Sequence, residues 1–104
     1  MNYSDYMAAN YDSLNALRRL GLNQYEAKAY LALASFGSHT AGELAESADI
    51  PRPRVYDVLT SLQGQGFVLI QQGRPVKYSG LPIHDAVKTL KKLRENDLSK
   101  ELTK

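Results

Sequence analysis

Asp49-Ile50-Pro51 separates two stretches of helically spaced apolar residues, and this short break constrains the fold more than any other feature. A residue preceding proline is pushed out of helical dihedrals, so the upstream helix must stop there. Proline is tolerated in the first turn of the next helix, where its missing N–H leaves no bond unmade. Upstream of the break, Thr40-Ala41-Gly42-Glu43 has the spacing of a capping box, and Leu44, Ala45 and Ala48 share one side. Downstream, Val55, Val58, Leu59 and Leu62 form a second stripe, with Pro51 or Pro53 in its first turn and Gly64 and Gly66 at its end. Two helices joined by so few residues make a helix-turn-helix.

The flanking chain supplies partners for those two apolar sides. Leu14, Leu17 and Leu20 recur at near-helical spacing until Gly21. Asn23 followed by Glu26 resembles a capping arrangement and opens a second helix. Its buried stripe is Ala27, Tyr30, Leu31 and Ala34, and it ends at Phe36-Gly37. Beyond Gly66, Phe67-Val68-Leu69-Ile70-Gln71-Gln72 reads as a strand, Gly73-Arg74-Pro75 as a turn and Val76-Lys77-Tyr78 as the returning strand. Phe67, Leu69 and Tyr78 are expected to close the end of the core. Pro82 then opens a long last helix. The expected fold is mainly α with a small β-hairpin, a winged helix-turn-helix with a long C-terminal dimerisation helix. Residues 1–12 form an N-terminal extension, 13–80 the winged domain and 81–104 the linker and dimerisation helix.

Several chemistries are excluded by what the chain lacks. A length of 104 residues fits one domain with one core. There are no cysteines, and His39 and His84 stand far apart without ligand-like neighbours, so neither a disulfide nor a metal site is expected. No glycine-rich phosphate loop, nucleophile elbow or evident carboxylate pair is present, so no enzyme and no cofactor is expected. No apolar run approaches the ~20 residues of a membrane span, and Met1 to Asn10 does not read as a signal peptide. The expected location is cytoplasmic, at the nucleoid. Charge is unevenly spread: residues 26–49 carry Glu26, Glu43, Glu46 and Asp49 against Lys28, whereas residues 50–79 carry Arg52, Arg54, Arg74 and Lys77 against Asp57. A basic segment beside an acidic one suggests a surface that meets a polyanion.

The basic residues fall where a duplex could be read. With Val55, Leu59 and Leu62 inward, the fourth helix turns Pro53, Arg54, Asp57, Thr60 and Ser61 outward, flanked by Tyr56 and Gln63, with Arg52 at its start. An arginine there can pair with guanine in the major groove. Arg74 at the wing tip and Lys77 on the returning strand can meet the backbone or the minor groove. Ser38, His39 and Thr40 precede the third helix, where they can contact phosphate. Ile83, Val87, Leu90, Leu93 and Leu98 line a last helix of about 30 Å, too long for a small domain to cover. A homodimer through this helix is therefore expected.

The stretch from Ile50 to Leu59, Pro51-Arg52-Pro53-Arg54-Val55-Tyr56 above all, followed by Leu62 and Gly66-Phe67-Val68, resembles the recognition-helix segment of the TrmB family of archaeal and bacterial regulators. Leu20-Gly21-Leu22, Tyr25-Glu26-Ala27 and Tyr30-Leu31-Ala32-Leu33 are similar to that family's opening helix. Gly73-Arg74-Pro75-Val76-Lys77-Tyr78 is similar to its wing, and Pro82 with Ala86 to the start of its linker helix. The resemblance covers about residues 17–95. It implies a winged-helix domain that binds double-stranded DNA as a dimer in transcriptional control. Longer members add a sugar-binding effector domain after this segment; none is present in these 104 residues, and no small-molecule effector is expected of them. Two other functions remain open on the residues alone: a winged-helix protein–protein interaction module and a non-specific, chromatin-type DNA binder.

Overall fold

A computed structural model describes residues 11–82 and, beyond them, His84, Asp85, Lys88, Lys92 and Glu95. Four helices and a hairpin follow one another: α1 (Tyr11–Arg19), α2 (Gln24–Phe36), α3 (Ala41–Ser47), α4 (Arg52–Gly64), β1 (Val68–Gln71) and β2 (Lys77–Gly80). The helix-turn-helix is α3 and α4, and the hairpin is the wing. Helix α1 takes in Tyr11 and Asp12, which the sequence places in the N-terminal extension; Asp12 in the first turn suits the positive end of the helix dipole. His84, Asp85, Lys88, Lys92 and Glu95 are all helical. The expected dimerisation residues Ile83, Val87, Leu90, Leu93 and Leu98 lie outside the described residues.

Both capping boxes form. The Asn23 side chain accepts from the Glu26 N–H at 2.8 Å while the Glu26 carboxylate accepts from the Asn23 N–H at 2.8 Å. Thr40 and Glu43 exchange the same pair at 3.1 and 2.8 Å. Three helices end in one way, with a residue of positive φ whose neighbours close back on the last turn. Leu22 N–H reaches Leu17 O past Gly21, and Phe67 N–H reaches Leu62 O past Gly66. In the turn of the helix-turn-helix, Ile50 N–H reaches Ala45 O past Asp49, whose φ of 53° makes it the non-glycine member of the set.

Helix α2 is the centre of the domain, packed against α1, α3, α4 and β2. Ala27, Ala29, Tyr30, Leu31, Ala32 and Leu33 are all buried, so the helix is covered nearly all round, and Ala34 is half-buried. Leu17, Leu44, Val55, Leu59, Leu62, Phe67 and Val68 complete the core, with Phe67 edge-on to Tyr30 at 6.3 Å between ring centres. The Tyr30 hydroxyl donates to Leu81 O. Its burial, with the Asp85 charge adding to it, pushes its ionisation up to about 12.

The hairpin pairs Val68 with Gly80, Leu69 with Ser79, Ile70 with Tyr78 and Gln71 with Lys77. Here the structure corrects the sequence reading. Leu69 is 56% exposed and does not join Phe67 and Tyr78 over the core. Phe67 belongs to the closing turn of α4 rather than to the strand, so the alternation starts at Val68, and Val68 and Ile70 take the inner face. On its other side β2 bonds His39: His39 N–H donates to Tyr78 O at 3.0 Å and Tyr78 N–H to His39 O at 2.8 Å. The wing is thereby fastened to the loop that opens α3.

Candidate nucleic-acid interface

The outward side of α4 is set by its buried side. Val55, Val58, Leu59 and Leu62 face the core, which leaves Arg52, Pro53, Arg54, Tyr56, Asp57 and Thr60 exposed. Pro51 caps the helix without a side-chain hydrogen bond, and Pro53 lies in the first turn. No acidic side chain stands in that turn; Pro53 has no N–H and the Arg54 N–H donates to Pro51 O at 2.8 Å, so it is the exposed Arg52 and Arg54 side chains that can meet an approaching anion.

The exposed residues divide between two flanks. On one flank Tyr56, 63% exposed, lines a cleft of about 310 Å³ with Thr40 and Gly42 of the α3 start and Pro75, Val76 and Tyr78 of the wing. On the other flank the Arg54 guanidinium lies over the Tyr25 ring, 5.7 Å from its centre. Arg54, Asp57 and Ser61 share a second cleft there, of about 220 Å³, with Asn23, Tyr25 and Glu26. Ser61, expected among the outward groups, donates its hydroxyl to the Glu26 carboxylate. Gln65 Nε2 donates to the same carboxylate at 3.2 Å. Glu26 is thus the buried charge that ties the start of α2 to α4, and it is 7% exposed.

The loop before α3 is partly committed to structure. Ser38 is exposed, while His39 and Thr40 are half-buried. His39 Nδ1 lies 2.8 Å from Gly37 O; a carbonyl only accepts, so Nδ1 carries a proton. Thr40 Oγ1 accepts from Glu43, which leaves its hydroxyl proton to donate outward. The Glu43 carboxylate occupies the start of α3, where an anion would otherwise settle. Its pKa is lowered by the backbone and side-chain hydrogen bonds of Thr40, with smaller help from the Lys77 and His39 charges. Lys77 therefore faces this acid as well as solvent. Arg74 stands exposed at the wing tip, beside a cis peptide bond to Pro75.

Sequence reasoning gave no site role to Tyr25, Gln65, Pro75 or Val76, and gave Glu26 only its cap and a place in the acidic segment. The pairing of Asn23 with Glu26 is local, but the reach of Glu26 to Ser61 and Gln65 spans 35 and 39 residues and leaves no mark in spacing. Among the described residues no group of three or more potential ligands could hold a metal ion, and no helix is long and apolar enough to cross a membrane.

A family model for a sugar-specific transcriptional regulator, TrmB, matches residues 17–84. The chain is 51% identical over 65 residues to a putative HTH-type transcriptional regulator, TrmBL2, of Pyrococcus furiosus, covering 62% of this chain and 24% of that protein. It is 40% identical over 86 residues to the HTH-type sugar sensing transcriptional regulator TrmBL1 of the same organism, covering 83% of this chain and 24% of that one. It therefore spans about a quarter of the length of these curated relatives. The solved structure of TrmBL2, described as an archaeal chromatin protein with a novel mode of DNA binding, superposes with a TM-score of 0.82 at 35% identity, over 90% of this chain and 38% of that chain. A MarR family protein from Bacillus stearothermophilus, with a TM-score of 0.61 at 20% identity over 94% of this chain and 73% of that one, shares the fold.

Proposed function

This chain belongs to the TrmB family of transcriptional regulators, and on that footing we propose that it binds double-stranded DNA as a dimeric, sequence-specific regulator. The observation that carries the reading is the start of α4: two exposed arginines, no acid in the first turn and no large aliphatic side chain on the outward face. Protein-interaction surfaces are centred on a cluster of apolar side chains, whereas Tyr56 alone exposes a large apolar side chain among the described residues of α4. Helix α4 enters the major groove, with Pro53, Asp57 and Thr60 on the middle of its outward side nearest the bases, and with Arg52 and Tyr56 reaching toward them from the wing-side flank of its N-terminal turns. Arg54 lies on the other flank. Arg74 and Lys77 meet the backbone or minor groove from the wing, and Ser38, His39 and Thr40 meet phosphate. Two copies pair through residues 81–104, with Ile83, Val87, Leu90, Leu93 and Leu98 as the seam. Two half-sites then lie about one helical turn apart, or a multiple of it. Bound to DNA, the protein resides at the nucleoid.

A second reading, binding without strong sequence preference, is favoured by the likeness to TrmBL2, described as a chromatin protein. Selection of bound duplexes from a random pool, followed by anisotropy titrations of selected and random DNA at one salt concentration, separates the two. A specific regulator prefers the selected duplex by about 10³-fold or more. A ratio near one supports the chromatin-type reading. Binding that is indifferent to salt refutes both, because phosphate contacts release counterions.

A further inference from the structure

The two arginines of α4 stand in different surroundings. Arg52 stands at the helix start, on the flank that carries Tyr56 and the wing. Arg54 lies roughly 100° around the helix from Pro53 and roughly 120° from Thr60, at 3.6 residues per turn. There the Tyr25 ring underlies its guanidinium at 5.7 Å. Tyr25 is half-buried against the core and directly precedes Glu26, whose carboxylate is bonded to two elements. The cap to Asn23 holds it at the start of α2, and the bonds from Ser61 and Gln65 fix it to α4. The backbone that carries the ring is therefore tied, through the neighbouring Glu26, to the same helix that bears Arg54.

We propose that Tyr25 is a positioning residue that holds the Arg54 guanidinium against a DNA backbone phosphate at the groove edge, away from the base edges. The proposal rests on the DNA-binding reading above and assigns the two α4 arginines different tasks. A guanidinium held over a ring face by cation–π attraction keeps its N–H donors available to an anion on that flank. Sideways from a helix in the major groove lies the sugar–phosphate backbone, while the bases face the middle of the outward side. Ordering the side chain before DNA arrives lowers the entropic cost of the contact. A phosphate contact serves every sequence alike, so Arg54 adds affinity without discrimination.

Anisotropy titrations of the full chain test this with a pool-selected duplex and a random duplex of equal length, each over a series of NaCl concentrations. Arg54→Ala is expected to weaken binding to both by the same factor, roughly 10-fold. It should also reduce the salt slope by about 0.9 per protomer. Tyr25→Leu, which keeps apolar packing but removes the ring, is expected to weaken both by about two- to five-fold. Tyr25→Phe should bind like the unaltered protein. In the Arg54→Ala background, Tyr25→Leu should have no further effect, because the two residues act as a unit. The proposal is overturned if Arg54→Ala changes the base preference and leaves the salt slope intact. It is equally overturned if Tyr25→Leu costs the same with and without Arg54, which would mark a structural role. If the unaltered protein binds neither duplex, the DNA-binding reading itself fails and this assignment with it.

Discussion

Replacing Glu26 by alanine tests whether one carboxylate both caps α2 and holds the recognition helix. The side chain accepts from the Asn23 N–H at 2.8 Å, from the Ser61 hydroxyl and from Gln65 Nε2 at 3.2 Å, at 7% exposure. Loss of the cap costs about 1 kcal/mol. The two bonds to α4 contribute about 1 kcal/mol each at most, because Ser61 is exposed and Gln65 half-buried, and both can turn to water. Removing buried methylenes adds about 1 kcal/mol, and relief from keeping a charge out of water returns about as much. The expected net loss is about 2–3 kcal/mol. Urea unfolding followed by helical circular dichroism reads it as a midpoint lowered by about 2 M, at a slope of about 1–1.5 kcal/mol per molar. Glu26→Gln should lose about half as much: its amide oxygen still accepts from Asn23, and the Ser61 hydroxyl can turn to accept from its nitrogen. A loss below about 0.5 kcal/mol for Glu26→Ala, or an equal loss for both variants, would refute the double role.

The glycines of the wing and of α4 should respond in opposite ways. A Cβ at Gly80 would lie 3.1 Å from Ala34 N and 3.2 Å from Leu33 Cβ, so Gly80→Ala forces β2 off α2 and lowers stability by about 1–3 kcal/mol in a thermal melt. A Cβ at the helical Gly64 meets nothing within 4 Å, so Gly64→Ala should raise stability by about 0.5–1 kcal/mol in the same assay. Asp49→Gly should stabilise by about 0.5–1 kcal/mol, because glycine takes the φ of 53° without a Cβ penalty and the exposed Asp49 side chain gives up no packing; a loss on chemical unfolding would contradict this. Tyr30 ionises near 12 in the fold against an ordinary 10.0, so the stability that its neutral form contributes is complete below pH 10 and is lost as pH rises from there to about 12. Alkaline unfolding followed by circular dichroism should show that step, and Tyr30→Phe should abolish it.

How much was legible before any fold is clearest at the two capping boxes. Asn23 with Glu26 and Thr40 with Glu43 sit three residues apart, so the chain declares both helix starts by spacing alone. The break at Asp49-Ile50-Pro51 and the stripe Val55, Val58, Leu59 and Leu62 likewise place the helix-turn-helix and its buried side. The start of β1 was not legible. Phe67 and Val68 are adjacent and both buried, which no period-two reading allows, and the phase of the strand depends on the turn that closes α4. Nor did the wheel of α4 separate its arginines, since it shows which residues point outward but not what stands beside them.

The sequence by itself determined where helices begin and end and which side of each seeks the core, because caps, proline breaks and apolar periods act between residues no more than about four apart. Tertiary packing decided the flank on which Arg54 rests, the second use of the Glu26 carboxylate, the exposure of Leu69 and the fastening of the wing through His39. Each of these joins groups remote along the chain, and such contacts exist only once α2 has brought the start of one element against the side of another.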